Sequence, residues 1–327
     1  MRLLTDPAGG GFVRNTKARH LISLDDLPGE TVRDMVSHGA QIARRARQGA
    51  GAESSRLAGK VIGVFFRKTS TRTRTAFASG ALRLGAAVIA YGPDDLQLHT
   101  GESSEDTGRV LAGMLDALVA RTAGDPGEMR VWAAQERMAV INAMSADEHP
   151  TQALADLTTL TLRFGEVDGL RLLYLGEGNN TAAALALGLS RYRGVQLDLR
   201  TPPGYGLAPG IRERAARQAA ANGSTVRERH DLAGLPGDAD VVYTTRWQTT
   251  GTAKPDPGWR QVFAPFGVTA ELMGHFPKAA FMHDLPAHRG EEVTAAVLDG
   301  PASIAFEQAE NKMYSAMAVL QWCTGSR

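Results

Sequence analysis

Cysteine is nearly absent: Cys323 is the only one in 327 residues. A single thiol excludes an intramolecular disulfide and any cysteine-based zinc site. It lies near the end of the sequence with no histidine close by, and it reads as an inert helix residue. Long apolar runs are absent too. The longest, such as residues 61–66 and 182–189, fall far short of the ~20 residues that cross a bilayer. The opening Met1-Arg2-Leu3-Leu4-Thr5-Asp6-Pro7 has no apolar stretch of the secretory kind. A soluble, cytoplasmic protein without a membrane partner is the expectation.

Charge of one sign is also lacking. With 36 basic and 35 acidic residues the net charge is +1. No global field draws the protein to nucleic acid or a membrane surface, so any anion site must be local. Lysine occurs only at positions 17, 60, 68, 254, 278 and 312, which leaves arginine as the main cation. What remains is ordinary: 43% hydrophobic and 22% charged residues suit a globular protein and argue against disorder. The length is too great for one small core and fits two α/β domains.

Along the chain, a glycine-rich start at residues 8–11 gives way to helix signals over 30–48. Strand-like and helix-like segments then alternate. Strands are expected at 61–66, 87–91, 117–120 and 139–142, and helices at 74–84, 106–115 and 127–137. A long helix should start at Pro150, since proline at the first helical position needs no hydrogen-bond partner, and run to about 164. The rhythm resumes with strands at 170–175, 196–200, 240–243 and 279–282, helices at 181–192 and 211–222, and a last helix over 308–322. This predicts an α/β protein of two doubly wound parallel-sheet domains joined by interdomain helices. The expected division is 1–149, completed by 308–327, and 150–307. No short-period repeat or low-complexity tract interrupts it.

Three segments carry chemistry. In the first, an apolar strand runs into Arg67-Lys68-Thr69-Ser70-Thr71-Arg72-Thr73-Arg74 and then into a helix. Free N–H groups at a helix start, flanked by hydroxyls and guanidinium forks, attract an anion, and phosphate is the natural guest. The plain alternative is a solvated basic loop or a nucleic-acid patch; its position after a buried strand favours the ligand. In the second, His149 stands before Pro150, with Gln152 and Asp156 on one face of the helix that follows. An imidazole at a positive helix end tends to stay neutral and can donate one hydrogen bond to a carbonyl oxygen; the alternative is a polar cap with no ligand. In the third, His283-Asp284-Leu285-Pro286-Ala287-His288-Arg289-Gly290-Glu291-Glu292 follows a strand, where α/β sheets place ligands. Its spacing matches no helical metal-ligand pair, so no metal is expected. Gly176-Glu177-Gly178-Asn179-Asn180-Thr181 begins like a dinucleotide fingerprint, but Thr181 replaces the third glycine, which makes it weak support for a nicotinamide cofactor.

Taken together, Ser70-Thr71-Arg72-Thr73-Arg74, His149-Pro150-Thr151-Gln152 and His283-Asp284-Leu285-Pro286 resemble, in order, the three signature loops of the aspartate/ornithine carbamoyltransferase family. The resemblance runs from about His20 to Trp322 and includes Gln97, Gly101-Glu102-Ser103, Arg121, Trp247 before Gly251, and Ala309-Glu310-Asn311. It implies a carbamoyl phosphate domain, an acceptor domain, and a last helix that packs back on the first. It also implies a homotrimer in which Gln97 reaches a neighbour's site. By position, Ser70, Thr71, Arg72 and Thr73 should hold the phosphate. Arg121, His149 and Gln152 should hold the carbamoyl group, with Leu285 and Lys312 completing that side. No metal or organic cofactor is implied.

On the acceptor side the sequence departs from the ornithine enzymes. Their Asp-x-Trp-x-Ser-Met-Gly loop is here Thr245-Arg246-Trp247-Gln248-Thr249-Thr250-Gly251, and their His-Cys-Leu-Pro loop has Asp284 in place of the thiol. Their late arginine is Lys312, which keeps the charge and loses the bidentate fork. Asn179, Asn180, Thr245, Thr249, Thr250 and Asp284 are the expected acceptor residues, and Arg121, His149 and Asp284 the expected catalytic ones. The reading is a carbamoyltransferase acting on an amine other than ornithine, such as a shorter diamino acid or an amine of specialised metabolism. The alternatives are a true ornithine carbamoyltransferase making citrulline, and an inactive or ligand-binding relative.

Overall fold

The computed structural model describes residues 18–49, 54–249 and 253–326. Within them, β1 (Val61–Phe66), β2 (Ala87–Tyr91), β3 (Ala117–Arg121) and β4 (Ala139–Asn142) form one parallel sheet in the order β2-β1-β3-β4. A second parallel sheet has the order β7-β6-β5-β8-β9, from β5 (Arg171–Leu175), β6 (Gln196–Arg200), β7 (Thr225–Arg229), β8 (Val241–Thr244) and β9 (Ala280–His283). Central strands such as Val-Ile-Gly-Val-Phe-Phe are buried on both faces, which is why they read as continuous apolar runs rather than alternating ones. The expected α/β architecture of two parallel sheets is found.

Helices α1 (Gly29–Arg47), α2 (Arg72–Arg83), α3 (Ser104–Ala112), α4 (Gly127–Ala133), α5 (Pro150–Phe164), α6 (Asn180–Leu189) and α7 (Pro209–Ala221) cover the sheets. Short helices α8 (Trp259–Phe263), α9 (Ala270–Gly274) and α10 (Ala295–Leu298) precede the long α11 (Ala305–Cys323). In α1, Val32, Met35, Val36, Gly39, Ala40 and Ala43 make one buried face. Its last turn carries Arg44, Arg45 and Arg47, which complement the negative helix end. Helix α5 is buried from Pro150 to Leu160, and its Thr158 and Thr159 hydroxyls donate to the carbonyls of Leu154 and Ala155 at 2.7 and 2.8 Å. Helix α11 packs on α1, α2 and α5. One apolar cluster therefore runs from Ile62 and Val64 of the first sheet, through Leu154, Leu157, Met317 and Leu320, to Leu172 and Tyr174 of the second.

Several segments differ from the sequence expectation. Strand β7 is an edge strand whose Thr-Val-Arg-Glu-Arg alternates in burial, so no apolar run marks it. Helix α4 stops at Ala133, close before Glu136, which adopts φ +55°. Helix α6 ends at Leu189 and α11 begins at Ala305, three residues away from the expected bounds in each case. The helices α8, α9 and α10 have five residues or fewer, too few to show a period.

Candidate active site

Strand register sets the site. In the first sheet the order reverses between β1 and β3, where Phe66 lies opposite Arg121, and in the second between β5 and β8, where Leu175 lies opposite Thr244. Such switch points, at the carboxyl ends of strands, are where open α/β sheets leave a crevice. Thr244 in turn lies opposite His283, so Thr245 and Asp284 each follow directly on paired residues and emerge side by side. A cleft of about 230 Å³ opens where these strand ends meet.

Of the expected residues, Ser70, Thr71, Arg72, Thr73, Arg121, His149, Gln152, Asn179, Asn180, Thr245, Thr249, Asp284, Leu285 and Lys312 all line this cleft. Gln97 does not: it sits on an exposed turn of residues 97–100, where its Oε1 accepts from the Thr100 hydroxyl at 2.6 Å. Thr250 lies outside the described residues. Thr69, Thr181, Arg246, Gln248 and Pro286, which belong to the segments singled out in the sequence, also line the cleft without having been named as site residues, and Met144 lies outside all of those segments. Met144 and Leu285 have φ of +146° and +53°, unusual for residues other than glycine, and both border the site.

On the first-sheet side, α2 starts at Arg72 with no side chain capping its first turn, so its N–H groups face the cleft as anion donors. Burial pulls the Arg72 guanidinium below its ordinary range, opposed by the charge of Asp284. Arg121 is pushed down to about 10 by burial and by Arg72, again opposed by Asp284. Its Nε is buried without a hydrogen-bond partner among the described residues. Lys312 is brought down to about 8, by burial first, with Asp284 raising it and Arg72 and Arg121 lowering it. Three buried or half-buried cations thus share one small space, which suits a multiply charged anion.

His149 heads α5. Burial, then the charges of Lys312 and Arg121, hold its imidazole well below the ordinary histidine range, so it is neutral and able to donate one hydrogen bond. Its Nδ1 meets the Thr151 hydroxyl at 3.3 Å, and its backbone N–H donates to Asn180 O at 3.1 Å. Asn180 Nδ2 donates to Ser145 O at 2.8 Å, which ties the start of α6 to the loop before His149. Asn179 caps α6, with its Oδ1 accepting from the N–H groups of Thr181 and Ala182 at 3.0 and 3.2 Å, and its Nδ2 donates to Thr249 Oγ1 at 3.3 Å.

Opposite the cations stands Asp284. Its two oxygens accept from the Thr245 hydroxyl at 2.8 Å and the Thr181 hydroxyl at 3.0 Å. Behind the cleft wall lies a group that is wholly buried: Asp156 accepts from Gln152 Nε2 at 2.7 Å, Gln308 Nε2 at 2.7 Å and Tyr243 OH at 3.0 Å. Burial raises this carboxyl to about 7 despite those donors. Position on the Gln152 face was legible for Asp156; nothing in the sequence pointed to Tyr243 or Gln308.

Two other segments find structural uses. At Gly178 an added Cβ would lie 2.2 Å from Leu207 N and 2.3 Å from Gly206 C, and Gly178 N donates to Tyr205 O at 2.7 Å. The protein's own backbone fills the approach that a pyrophosphate would use in a dinucleotide site. His288, Glu291 and Glu292 bring one possible ligand atom each to within 4.8 Å of one another. Glu292 Oε1 already faces His283 Nε2 at 3.3 Å and the N–H of His288, which braces the loop.

Fold and site together define a two-sheet α/β enzyme with a cation-lined cleft between its halves. Residues 19–161 match the carbamoyl phosphate-binding domain of the aspartate/ornithine carbamoyltransferases, and residues 168–323 match their Asp/Orn-binding domain. The ornithine carbamoyltransferase of Methanothermobacter thermautotrophicus is 38% identical over 308 residues, covering 94% of this chain and 99% of that one. That of Symbiobacterium thermophilum is 39% identical over 307 residues, covering 93% and 97%. The solved ornithine carbamoyltransferase of Pyrococcus furiosus superposes with a TM-score of 0.88 at 35% identity, covering 94% of this chain and 98% of that one. The chain belongs to the aspartate/ornithine carbamoyltransferase family, enzymes that use carbamoyl phosphate.

Proposed function

We propose that the protein transfers the carbamoyl group of carbamoyl phosphate to an amine of an amino acid and releases phosphate. One observation carries this reading: Arg72, Arg121, Lys312, His149 and Gln152 line a single cleft at the uncapped start of α2. In it, Ser70, Thr71, Arg72 and Thr73 hold the phosphate, and Lys312 and the Leu285 turn close that side. The neutral amine attacks the carbamoyl carbon, the carbonyl oxygen takes the negative charge, and the carbon–oxygen bond to phosphate breaks. Arg121, neutral His149 and Thr73 stabilise the oxyanion, commonly the largest catalytic contribution. The departing phosphate, a stronger base than a carboxylate, takes the proton that the nitrogen gives up. Asp284 orients the attacking amine, and Asn179, Asn180, Thr245 and Thr249 hold the rest of the acceptor.

The names of the relatives favour ornithine as the acceptor, with citrulline as product. A second reading, an acceptor with its two amines closer together, is favoured by one observation. The carboxylate of this side stands on the loop after β9, at Asp284, and the residue after β8 is Thr245. Steady-state rates with ornithine, lysine, putrescine, 2,3-diaminopropionate and 2,4-diaminobutyrate at fixed carbamoyl phosphate decide between them. Ornithine giving the highest kcat/KM ends the second reading; no carbamoylated product from any of the five overturns the proposed reaction for these amines.

We also propose a homotrimer in which Gln97 enters a neighbouring cleft. Its support is the exposed Gln97 turn and the outward-facing Leu82, Val110 and Met114 of the same half, 61%, 51% and 71% exposed. Light scattering should give the mass of three chains, and a fully active monomer would rule this out.

A further inference from the structure

The side-chain amide of Gln152 is held between two groups of opposite hydrogen-bonding character. Its Nε2 donates to Asp156 Oδ1 at 2.7 Å, and its Oε1 accepts from the Lys312 ammonium. The Asp156 oxygens act here as acceptors, from Gln152, Gln308 and Tyr243, and an ammonium only donates. Turning the amide over would set NH₂ against NH₃⁺ and carbonyl oxygen against carboxylate, breaking both bonds at once. Asp156 is itself immobilised: Gln308 Nε2 and Tyr243 OH donate to it at 2.7 and 3.0 Å, and Gln308 Nε2 also reaches Tyr243 OH at 3.1 Å. Asp156, Gln152, Gln308 and Lys312 are 0%, 1%, 1% and 5% exposed, so water does not offer substitute partners. Gln152 and Lys312 border the cleft, and Asp156 stands behind them.

From this geometry we infer that Asp156 is a positioning residue that sets which end of the Gln152 amide faces the acyl phosphate, and so makes the site select an acyl group bearing N–H over one that does not. A carbonyl oxygen has two lone pairs, and Lys312 uses one. The other receives an N–H of the carbamoyl group, which an acetyl group of nearly the same shape cannot supply. With acetyl phosphate that buried acceptor is left short of a partner, the kind of defect that discriminates more strongly than lost contact area. Asp156 acts through Gln152 and touches no reacting atom. The inference rests on the carbamoyl phosphate reading above.

The test compares the affinities of carbamoyl phosphate and acetyl phosphate for the full-length protein by calorimetry, without amine, in wild type, Asp156→Asn and Gln152→Met. Wild type should prefer carbamoyl phosphate by about tenfold or more. In Asp156→Asn one of the two restraints on the amide is lost and Lys312 alone opposes its turning over, so carbamoyl affinity should fall by more than acetyl affinity and the ratio should drop. A merely structural role for Asp156 weakens both ligands equally; an unchanged ratio in a folded Asp156→Asn protein overturns the inference. Gln152→Met keeps Asp156 and removes the amide, so the ratio should collapse there too, and a ratio kept at the wild-type value overturns the inference even where Asp156→Asn does not fold. Wild-type protein that binds both phosphates equally ends this inference alone, whereas wild-type protein that binds neither also ends the carbamoyl phosphate reading.

Discussion

Thr245 Oγ1 donates to Asp284 Oδ1 at 2.8 Å, so two of the acceptor-side departures from the ornithine-enzyme pattern touch each other. In the sequence they are 39 residues apart. In the sheet they follow the paired Thr244 and His283 at adjacent strand ends. A carboxylate has been removed from one loop and another stands on the next, within one hydrogen bond. The negative charge of this side of the cleft is displaced rather than lost. An ornithine-like ammonium, which would be left without a counter-ion by Thr245 alone, therefore still has a carboxylate within the site.

Coupling between the two positions is the first prediction. Thr245→Asp alone sets two carboxylates side by side in a half-buried site, and should lower the unfolding free energy by about 1–3 kcal/mol. Adding Asp284→Cys removes the repulsion. A double-mutant cycle followed by denaturant unfolding should give a coupling of about 0.5–3 kcal/mol. Strictly additive effects would mean that the pair arose as two unrelated changes.

Arg72 is the second. Arg72→Ala should weaken carbamoyl phosphate binding by roughly 1.5–3 kcal/mol, the usual worth of a charge-assisted contact. Calorimetry without amine measures it directly, since the cation cluster and the start of α2 are both in place in the free chain. Unchanged affinity would remove the phosphate from the 70–74 loop.

Lys312 governs the third, which concerns pH. It faces Asp284, Asp156, Arg72 and Arg121, and is held down to about 8 with burial as the main cause. Below that value it is cationic and favours the phosphate dianion; as pH rises through it the charge is lost and affinity should fall, by up to about tenfold per pH unit. Near pH 8.5 binding should draw a proton onto Lys312, visible as a heat that changes with the ionisation enthalpy of the buffer. Lys312→Arg, always charged, should keep its affinity across this range. A flat wild-type profile from pH 7 to 9.5 would show that Lys312 does not titrate there.

Much of this protein could be read along the chain. Apolar runs bounded by turn residues mark central strands because both faces of a parallel sheet are buried, and Pro150 marks the start of α5 within one residue. The three loops that line the cleft were legible because their residue types are set by local needs: hydroxyls and guanidinium groups at an uncapped helix start, and an imidazole at another. Cys323 lies buried in α11, as its place in a helical segment suggested, and burial raises its thiol far above the ordinary range. Long-range neighbours were not legible. The meeting of Thr245 with Asp284 depends on strand order, and the grip of Asp156 on Gln152 depends on Tyr243 and Gln308 arriving from β8 and α11. The use of Gly178 depends on where the chain at Gly206 returns. Each is a contact between distant segments that is settled when sheets and helices pack, and side-chain chemistry read one residue after another does not contain it.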